Sequence, residues 1–464
     1  MDCFGNSLGD WEDGLRLGCS LRLRTTYAVS VRLISRDRTR LRTPEANKIE
    51  STSNTKNKPK SSSIKASLEI FAIQGFPFLL IANAAAFMGF QVRNMGQSWL
   101  VLELTDSSFL VGLVNAMPAM ALLVLSPIGG VIADRYDRRL VALYGRLVVA
   151  IMSYFVAFLV GSGAIEWWHL MVTGVLIGIA FALSNPASQT IVMDVVGRER
   201  MVAAQSLNTT VSNLGNMIGP AIGGILVATY GNASVFWLIA AIYTVGSLGF
   251  IGVKTKKMPN VQGGWQSGFE QMSQGMRYSW NTRQIRWLLI MTMGVIFWGI
   301  LQPVLPIYAR DILELGARGF GFISGAWGAG ALVAALAVFV LGGMPKKGLM
   351  SILSVFVMAI GHSVFAASTN YSISLIAIFV SGAAGGIWMT SVFALLQTAV
   401  ADEMRGRVMG LAMSSLMMMG FGLVLGGTIA DLLSPALALY ISAIGWSLLA
   451  GLAYWRSSEL RLLE

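Results

Sequence analysis

The sequence predicts an all-α membrane protein with twelve transmembrane helices in two pseudo-symmetric bundles of six. Three observations carry that expectation. Of the 464 residues, 55% are hydrophobic and only 12% charged, whereas a soluble domain carries about 25% charged residues. Apolar stretches of roughly 20 residues, the length that crosses a bilayer, recur twelve times beyond residue 66 with short loops between them. The second six spans also repeat landmarks of the first. Gln189-Thr190-Ile191-Val192-Met193-Asp194 returns as Gln397-Thr398-Ala399-Val400-Ala401-Asp402, and Gly219…Gly223-Gly224 returns as Gly422…Gly426-Gly427. The 51 glycines and 25 methionines suit closely packed, mobile membrane helices.

Taken in order, residues 1–65 hold thirteen of the 34 basic residues and no apolar run long enough to span. This segment is arginine-rich to Arg42, then Ser/Asn/Thr/Lys-rich, and is expected to be a disordered basic cytoplasmic tail. An organellar transit peptide is a second reading of its Arg and Ser content. Cys3 and Cys19 both lie here, so no disulfide staples the membrane core. Spans are predicted at 75–101, 108–132, 140–160, 167–193, 203–229 and 232–253, then at 286–309, 318–341, 349–367, 371–400, 408–430 and 435–455. The expected division is therefore a tail (1–65), a first six-helix bundle (66–253), a linker (254–285) and a second bundle (286–464). Within the linker Phe269, Met272, Met276 and Trp280 recur at helical spacing beside Arg277 and Arg283, the pattern of an amphipathic helix on the membrane surface; a calmodulin-target helix is the other reading. Alternate loops carry the positive charge. Arg135, Arg138, Arg139, Arg198, Arg200, Lys254, Lys256, Lys257, Arg277, Arg283, Arg286, Lys346, Lys347, Arg405, Arg407, Arg456 and Arg461 fall on one side, and only Arg310 and Arg318 on the other. That bias places both termini in the cytoplasm. It also explains the net charge of +11 by topology rather than by nucleic acid.

Between the second and third spans, Gly129-Gly130-Val131-Ile132-Ala133-Asp134-Arg135-Tyr136-Asp137-Arg138-Arg139 joins a small-residue helix end to a dense charge group. This stretch resembles the loop of major facilitator superfamily transporters, Gly-x-x-x-Asp-Arg/Lys-x-Gly-Arg-Arg/Lys. Gly130, Asp134, Arg135, Arg138 and Arg139 match it, while Asp137 stands where the family has glycine. An ordinary positive cytoplasmic loop is the plain alternative. The resemblance runs from about 75 to 455. Through Gln97-Ser98-Trp99-Leu100-Val101-Leu102-Glu103-Leu104-Thr105 and on to Asp134 it is similar to the enterobactin-exporter-like branch, the transmembrane secretion effectors.

In the fifth span Gly215, Gly219 and Gly223 at i, i+4 and i+8 leave one face bare for a neighbouring helix, and Pro220 weakens the backbone ladder beside them. Gly215-x-x-x-Gly219-Pro220-x-x-Gly223-Gly224 is similar to the fifth-span motif of the superfamily's exporters; a generic packing face is the other reading. The resemblance further implies that Asp134, Arg135, Arg138, Arg139, Arg146, Asp194, Arg198 and Arg200 form a cytoplasmic charge cluster. Such a cluster would hold the outward-open state and break when the halves rock. A set of solvated topology charges is the alternative for any one of them.

Arg93 lies inside the first span, where an arginine facing lipid costs roughly 2.5–3.5 kcal/mol. It is therefore expected to face a central cavity, either as a substrate contact or as a structural charge. Gln97, Asn115, Asn185, Gln189, Asn208, Trp298, Gln302, Trp327, Trp388 and Gln397 are the other cavity candidates, because polar groups at membrane depth point inward and aromatics shape greasy pockets. The resemblance to proton-coupled exporters implies a carboxylate at the centre of the first span and an embedded arginine in the fourth. The first span has no such carboxylate and only apolar residues surround Gly178, so either the coupling is not to protons or it moves to Glu103, Asp134 or Asp194. No phosphate-cradling loop, metal-ligand cluster or nucleophile–base pair is present in the sequence, and His169 and His362 stand alone. The expectation is thus neither an enzyme nor a cofactor protein. The resemblance implies a multi-pass secondary transporter of a bacterial inner (plasma) membrane that exports small amphiphilic molecules, drug-like compounds or siderophores, in exchange for protons. Its partners would be the substrate, protons and the bilayer. Metabolite uptake on the same fold, and a non-transporting role in lipid redistribution or scaffolding, stand as alternatives.

Overall fold

The computed structural model describes residues 70–73, 75–253, 265–340 and 346–456. The tail and residues 341–345 lie outside the described residues, as does the linker up to residue 264. Six helices form the first bundle: α1 (Phe76–Thr105), α2 (Ser108–Arg135), α3 (Arg138–Ser162), α4 (Trp167–Val196), α5 (Met201–Tyr230) and α6 (Asn232–Leu248). The linker helix α7 (Trp265–Asn281) follows. The second bundle comprises α8 (Arg283–Ile312), α9 (Gly316–Val338, its helix running on to Val340), α10 (Lys347–Ala367), α11 (Tyr371–Ala399), α12 (Asp402–Leu432) and α13 (Pro435–Arg456). Among the described residues, eleven of these are long and apolar enough to cross a membrane; α6 is shorter. The sequence predicts that it reaches 253, but its helix stops at Gly249 and continues as turns.

The two bundles are built alike. In the first, α1 packs on α5, α2 on α4 and α3 on α6. In the second, the equivalent pairs α8 with α12, α9 with α11 and α10 with α13 recur. Between the bundles α5 meets α9 and α2 meets α12, a pair of contacts related by the same pseudo-symmetry. Helix ends follow local chemistry. Ser107 caps α2 by accepting from the Leu110 N–H at 3.2 Å, and Asp137 caps α3 by accepting from the Arg139 N–H at 2.9 Å. Asp137 has φ −60° and ψ 111°, a backbone any residue adopts, so this turn gains a side-chain cap and does not require glycine. His169 serves α4 in the same way, its Nδ1 accepting from the Glu166 N–H at 3.0 Å.

Close helix approach is where the fifth-span motif acts. A methyl group on Gly215 would lie 3.3 Å from the Met88 nitrogen, one on Gly219 2.8 Å from Gln91 Cβ, and one on Gly223 3.1 Å from Met95 Sδ. The bare face of α5 therefore lies on α1, inside one bundle. Gly224, a step round the helix, instead faces the other bundle: a methyl there would sit 2.6 Å from the Ala317 oxygen and 2.9 Å from Gly321 Cα. Pro220 lies within the unbroken α5. Two second-bundle spans are interrupted. In α8 regular helix stops at Leu301 and resumes at Val304 around Pro303, and a π-turn follows over Tyr308–Ile312. In α12 the break falls between Leu416 and Met419. Proline's missing N–H accounts for the first break. Both breaks line the space between the bundles, where irregular backbone at membrane depth is tolerated.

Candidate functional site

A cavity of about 640 Å³ opens between the bundles, a volume suited to a drug-sized molecule. Among the described residues its walls come from α1, α2, α4 and α5 on one side and α8, α9, α11 and α12 on the other; α3 contributes Arg146 alone, and α6, α10 and α13 contribute nothing. The walls differ in character. The first-bundle side is polar, with Asn83, Gln91, Asn94, Asn115, Ser184, Asn185, Gln189, Gln205, Asn208 and Asn216; the second-bundle side is greasy, with Trp298, Leu301, Leu305, Phe320, Trp327, Met417, Met419 and Leu423, and only Gln302 and Ser324 are polar. One aromatic pair stands on each side. Phe90 and Phe181 meet edge to face with centroids 6.2 Å apart, and Trp298 stacks on Trp327 at 5.6 Å.

Of the sequence-predicted cavity residues, Arg93, Asn115, Asn185, Gln189, Asn208, Trp298, Gln302 and Trp327 line this space. Three do not. Gln97 is buried behind the wall and donates to Asn115 Oδ1 at 3.0 Å, and Asn115 in turn donates to Ser98 Oγ at 2.8 Å. Trp388 turns into the second bundle's own core, edge to face with Trp446 at 5.4 Å. Gln397 is exposed at the end of α11. Sequence reasoning missed Asn83 and the Phe90–Phe181 pair. Asn83 donates to Asn208 at 3.2 Å and accepts from Arg146 Nη2 at 2.8 Å, so a single amide ties α1, α3 and α5 together.

The described members of the expected charge cluster have different partners. Arg138 and Asp194 form an ion pair at 3.1 Å between α3 and α4, both side chains largely buried. Arg139 Nη2 donates instead to the Ile251 carbonyl at 2.7 Å. Arg135 and Arg200 are exposed, and the side chains of Asp134 and Arg198 lie outside the described residues. Arg146 leaves the cluster altogether. Two turns into α3, it points toward α1, donates to the Ala82 carbonyl and Asn83, and lies 4.6 Å above the Phe250 ring. A methyl group on Gly129 would run into the Ala182 carbonyl of α4, whereas one on Gly130 would meet nothing within 4 Å among the described residues, so α2 packs on α4 here through Gly129 alone of the pair.

The opposite end, where α1 runs into α2, is shut. Asp431 at the end of α12 accepts from the Ser108 N–H at 2.7 Å, the Phe109 N–H at 3.0 Å and the Ser107 hydroxyl at 2.5 Å. Arg310 pairs with Asp106 of the first bundle and with its neighbour Asp311 at 2.5 Å. Trp99 stacks on Phe320 across the same boundary, with centroids 6.1 Å apart. The cavity instead extends toward the basic loops, since Asn83, Arg146, Gln189 and Gln205 line it from within about two to three turns of their helix ends. The seal combines long-range partners: Asp431 had no signal in the sequence, whereas Arg310 was legible as a basic residue on the wrong side.

Comparison with known proteins agrees with this geometry. The family model described as transmembrane secretion effector matches residues 65–464. The chain is 26% identical over 370 residues to the multidrug efflux pump Tap of Mycolicibacterium fortuitum, covering 76% of this chain and 89% of that protein. It is 26% identical over 310 residues to the enterobactin exporter EntS of Shigella flexneri, covering 66% and 73%. Among solved structures the nucleoside transporter NupG superposes with a TM-score of 0.66 at 15% identity, over 82% of this chain and 99% of that one. A POT family transporter in complex with 5-aminolevulinic acid gives 0.65 at 12%, over 83% and 96%. Those structures share the fold.

Proposed function

The chain belongs to the transmembrane secretion effector family of major facilitator transporters, and on that premise we propose that it exports small amphiphilic molecules by alternating access, energised by the proton gradient. The observation that carries this reading is the cavity itself: both bundles wall it, and it is closed toward a single end by the packing of α5 on α9 and of α2 on α12, with the Asp431 hydrogen bonds and the Arg310 ion pairs joining the bundles there. Contacts concentrated at one end can be exchanged when the bundles rock, which is what alternating access requires. The positive-charge bias of the loops supports an open end that faces the cytoplasm with both termini on that side, and the bacterial efflux relatives support a bacterial inner membrane. This arrangement would load from inside.

Similarity to Tap and EntS supports an outward direction and a substrate in the range of drugs or siderophores. None of the described residues lining the cavity is a carboxylate, so protons would act on the gates. Asp106 and Asp431 at the sealed end, and Asp194 at the other, are the groups placed to bias them. Glu103, holding Trp99 and Asn232 at 2.5 Å each, ties α1 to α6 near the seal. On this reading Arg138 with Asp194, joined by Asp134, Arg135, Arg198 and Arg200, rebuilds the cytoplasmic latch when the basic end closes. The experiment is transport in energised vesicles. Export requires gradient-dependent accumulation of a catecholate siderophore in inverted vesicles. Accumulation only in right-side-out vesicles would mean uptake, and accumulation in neither would mean a scaffold.

A further inference from the structure

Two arginines belong to the cavity wall, Arg93 and Arg146, and among the described residues no Asp or Glu joins them there. Their situations differ. Arg146 is held by neutral acceptors, the Ala82 carbonyl and the Asn83 side chain, over the Phe250 ring. Arg93 sits mid-way along α1 at the edge of the cavity, only 3% exposed; its Nε and Nη1 are buried without a hydrogen-bond partner among the described residues, so the side chain meets a ligand by turning outward into the cavity. A buried guanidinium with unmade bonds is unfavourable, and at membrane depth more so. Burial of a cation is ordinarily matched by an anion, and here the protein supplies none within the cavity.

The geometry points to the missing partner: we propose that this cavity binds an anionic amphiphile, with Arg93 taking its acidic head group and the stacked Trp298 and Trp327 taking its apolar body. The planar guanidinium suits a carboxylate, sulfonate or phenolate oxygen through charge-assisted hydrogen bonds. Arg146, fixed by its own partners, adds positive potential without needing to move. The greasy second-bundle wall accepts an aromatic skeleton, and Gln302 and Ser324 there are neutral, so nothing on that side recruits a cation. Selectivity by charge then follows from desolvation. A cationic amphiphile entering the cavity would meet two like charges in a low-dielectric space and no carboxylate to offset them.

The inference rests on the exporter reading only in using the same cavity, and its test is binding without any gradient. The full chain in phosphatidylcholine nanodiscs is titrated calorimetrically with three probes sharing one ring system: 1-naphthylacetate, neutral 1-naphthylacetamide and cationic 1-naphthylethylamine. The acetate is expected to bind about tenfold or more tighter than either of the others, the scale of one charged hydrogen-bonded contact. Arg93→Gln removes that preference, whereas Arg93→Lys, which keeps the charge but loses the planar fork, retains it in weakened form. Gln302→Glu leaves Arg93 untouched and places a carboxylate on the opposite wall; it too abolishes the preference for acetate. Equal or tighter binding of the amine, no binding of any probe, or a preference that survives Arg93→Gln overturns the proposal. A protein that binds the acetate selectively yet shows no accumulation in inverted vesicles would sink the export reading and leave this one standing.

Discussion

Asp431 Oδ1 accepts a 2.7 Å hydrogen bond from the backbone N–H of Ser108, so a carboxylate of the second bundle caps a helix of the first. The first N–H groups of any helix lack intrahelical partners and carry a partial positive charge. Asp431 satisfies two of them, at Ser108 and Phe109, and anchors the Ser107 hydroxyl as well. This contact exists only while the two bundles touch at that end. It is therefore a difference between the two accesses, which is what biases an equilibrium.

Asp431→Asn keeps the shape of this contact and removes its charge. The loss, about 1 kcal/mol on the scale of a charge at a helix terminus, corresponds to roughly a fivefold shift in the ratio of closed to open at the sealed end. Labelling a cysteine introduced at Asn115, in a chain with Cys3 and Cys19 replaced by serine, reads it: an impermeant maleimide added from the Asp431 side should react several-fold faster. Unchanged reactivity would remove Asp431 from the gate.

Glycines at the two helix contacts of α5 should fail in different ways. Gly219 faces α1, where a methyl would meet Gln91 Cβ at 2.8 Å, so Gly219→Ala overpacks a single bundle and lowers stability by about 1–3 kcal/mol. Gly321 faces Gly224 of the other bundle, and a methyl on it would meet Gly224 Cα at 2.9 Å. Gly321→Ala should leave each bundle folded and push the equilibrium away from closure at the Asp431 end. Thermal unfolding separates the first effect, and the Asn115 cysteine assay the second.

Asp194→Asn removes the carboxylate from the Arg138 pair. Both side chains keep some exposure, so the expected loss is about 2 kcal/mol, below the range for a fully buried pair. Swapping the two residues, Arg138→Asp with Asp194→Arg, should recover a large part of the melting temperature. No recovery would mean that other contacts, not the pair, hold α3 to α4.

Asp137 offers a small and specific test. As the α3 cap it should tolerate glycine at a cost of a few tenths of a kcal/mol, while Asp137→Ala should cost about 1 kcal/mol. Equal melting temperatures for the three proteins would show that the 2.9 Å bond to the Arg139 N–H contributes nothing.

How much of this was legible beforehand divides along one physical line. Hydropathy and loop charge placed the twelve spans to within several residues, because a bilayer imposes length and polarity directly on sequence. The helices are longer than the apolar stretches since polar ends such as Thr105 and Arg135 continue the helix past the hydrocarbon. Which face of a span points inward was less legible. Helices α9 and α11 are largely apolar on every face, so nothing local separates Trp327 on the first, which lines the cavity, from Trp388 on the second, which packs on Trp446. Polarity worked better as a guide: Arg93, Asn115, Asn185 and Asn208 line the cavity because an amide or guanidinium at that depth has few other places to go. Gln97 satisfied the same rule by bonding Asn115 behind the wall. Asp431 and Ser108, 323 residues apart in sequence, met no local pattern at all.

Rocking of two bundles about a shared cavity is the central claim, and paired distances test it most directly. Spin labels at Arg135 and Arg405 report the basic end, and labels at Tyr230 and Leu433, both exposed, report the sealed end. Pulsed dipolar spectroscopy on the cysteine-replaced chain in nanodiscs, with and without saturating substrate and across pH, should show the two distances changing in opposite directions, one shortening as the other grows. Distances that stay fixed, or that lengthen and shorten together, would contradict it.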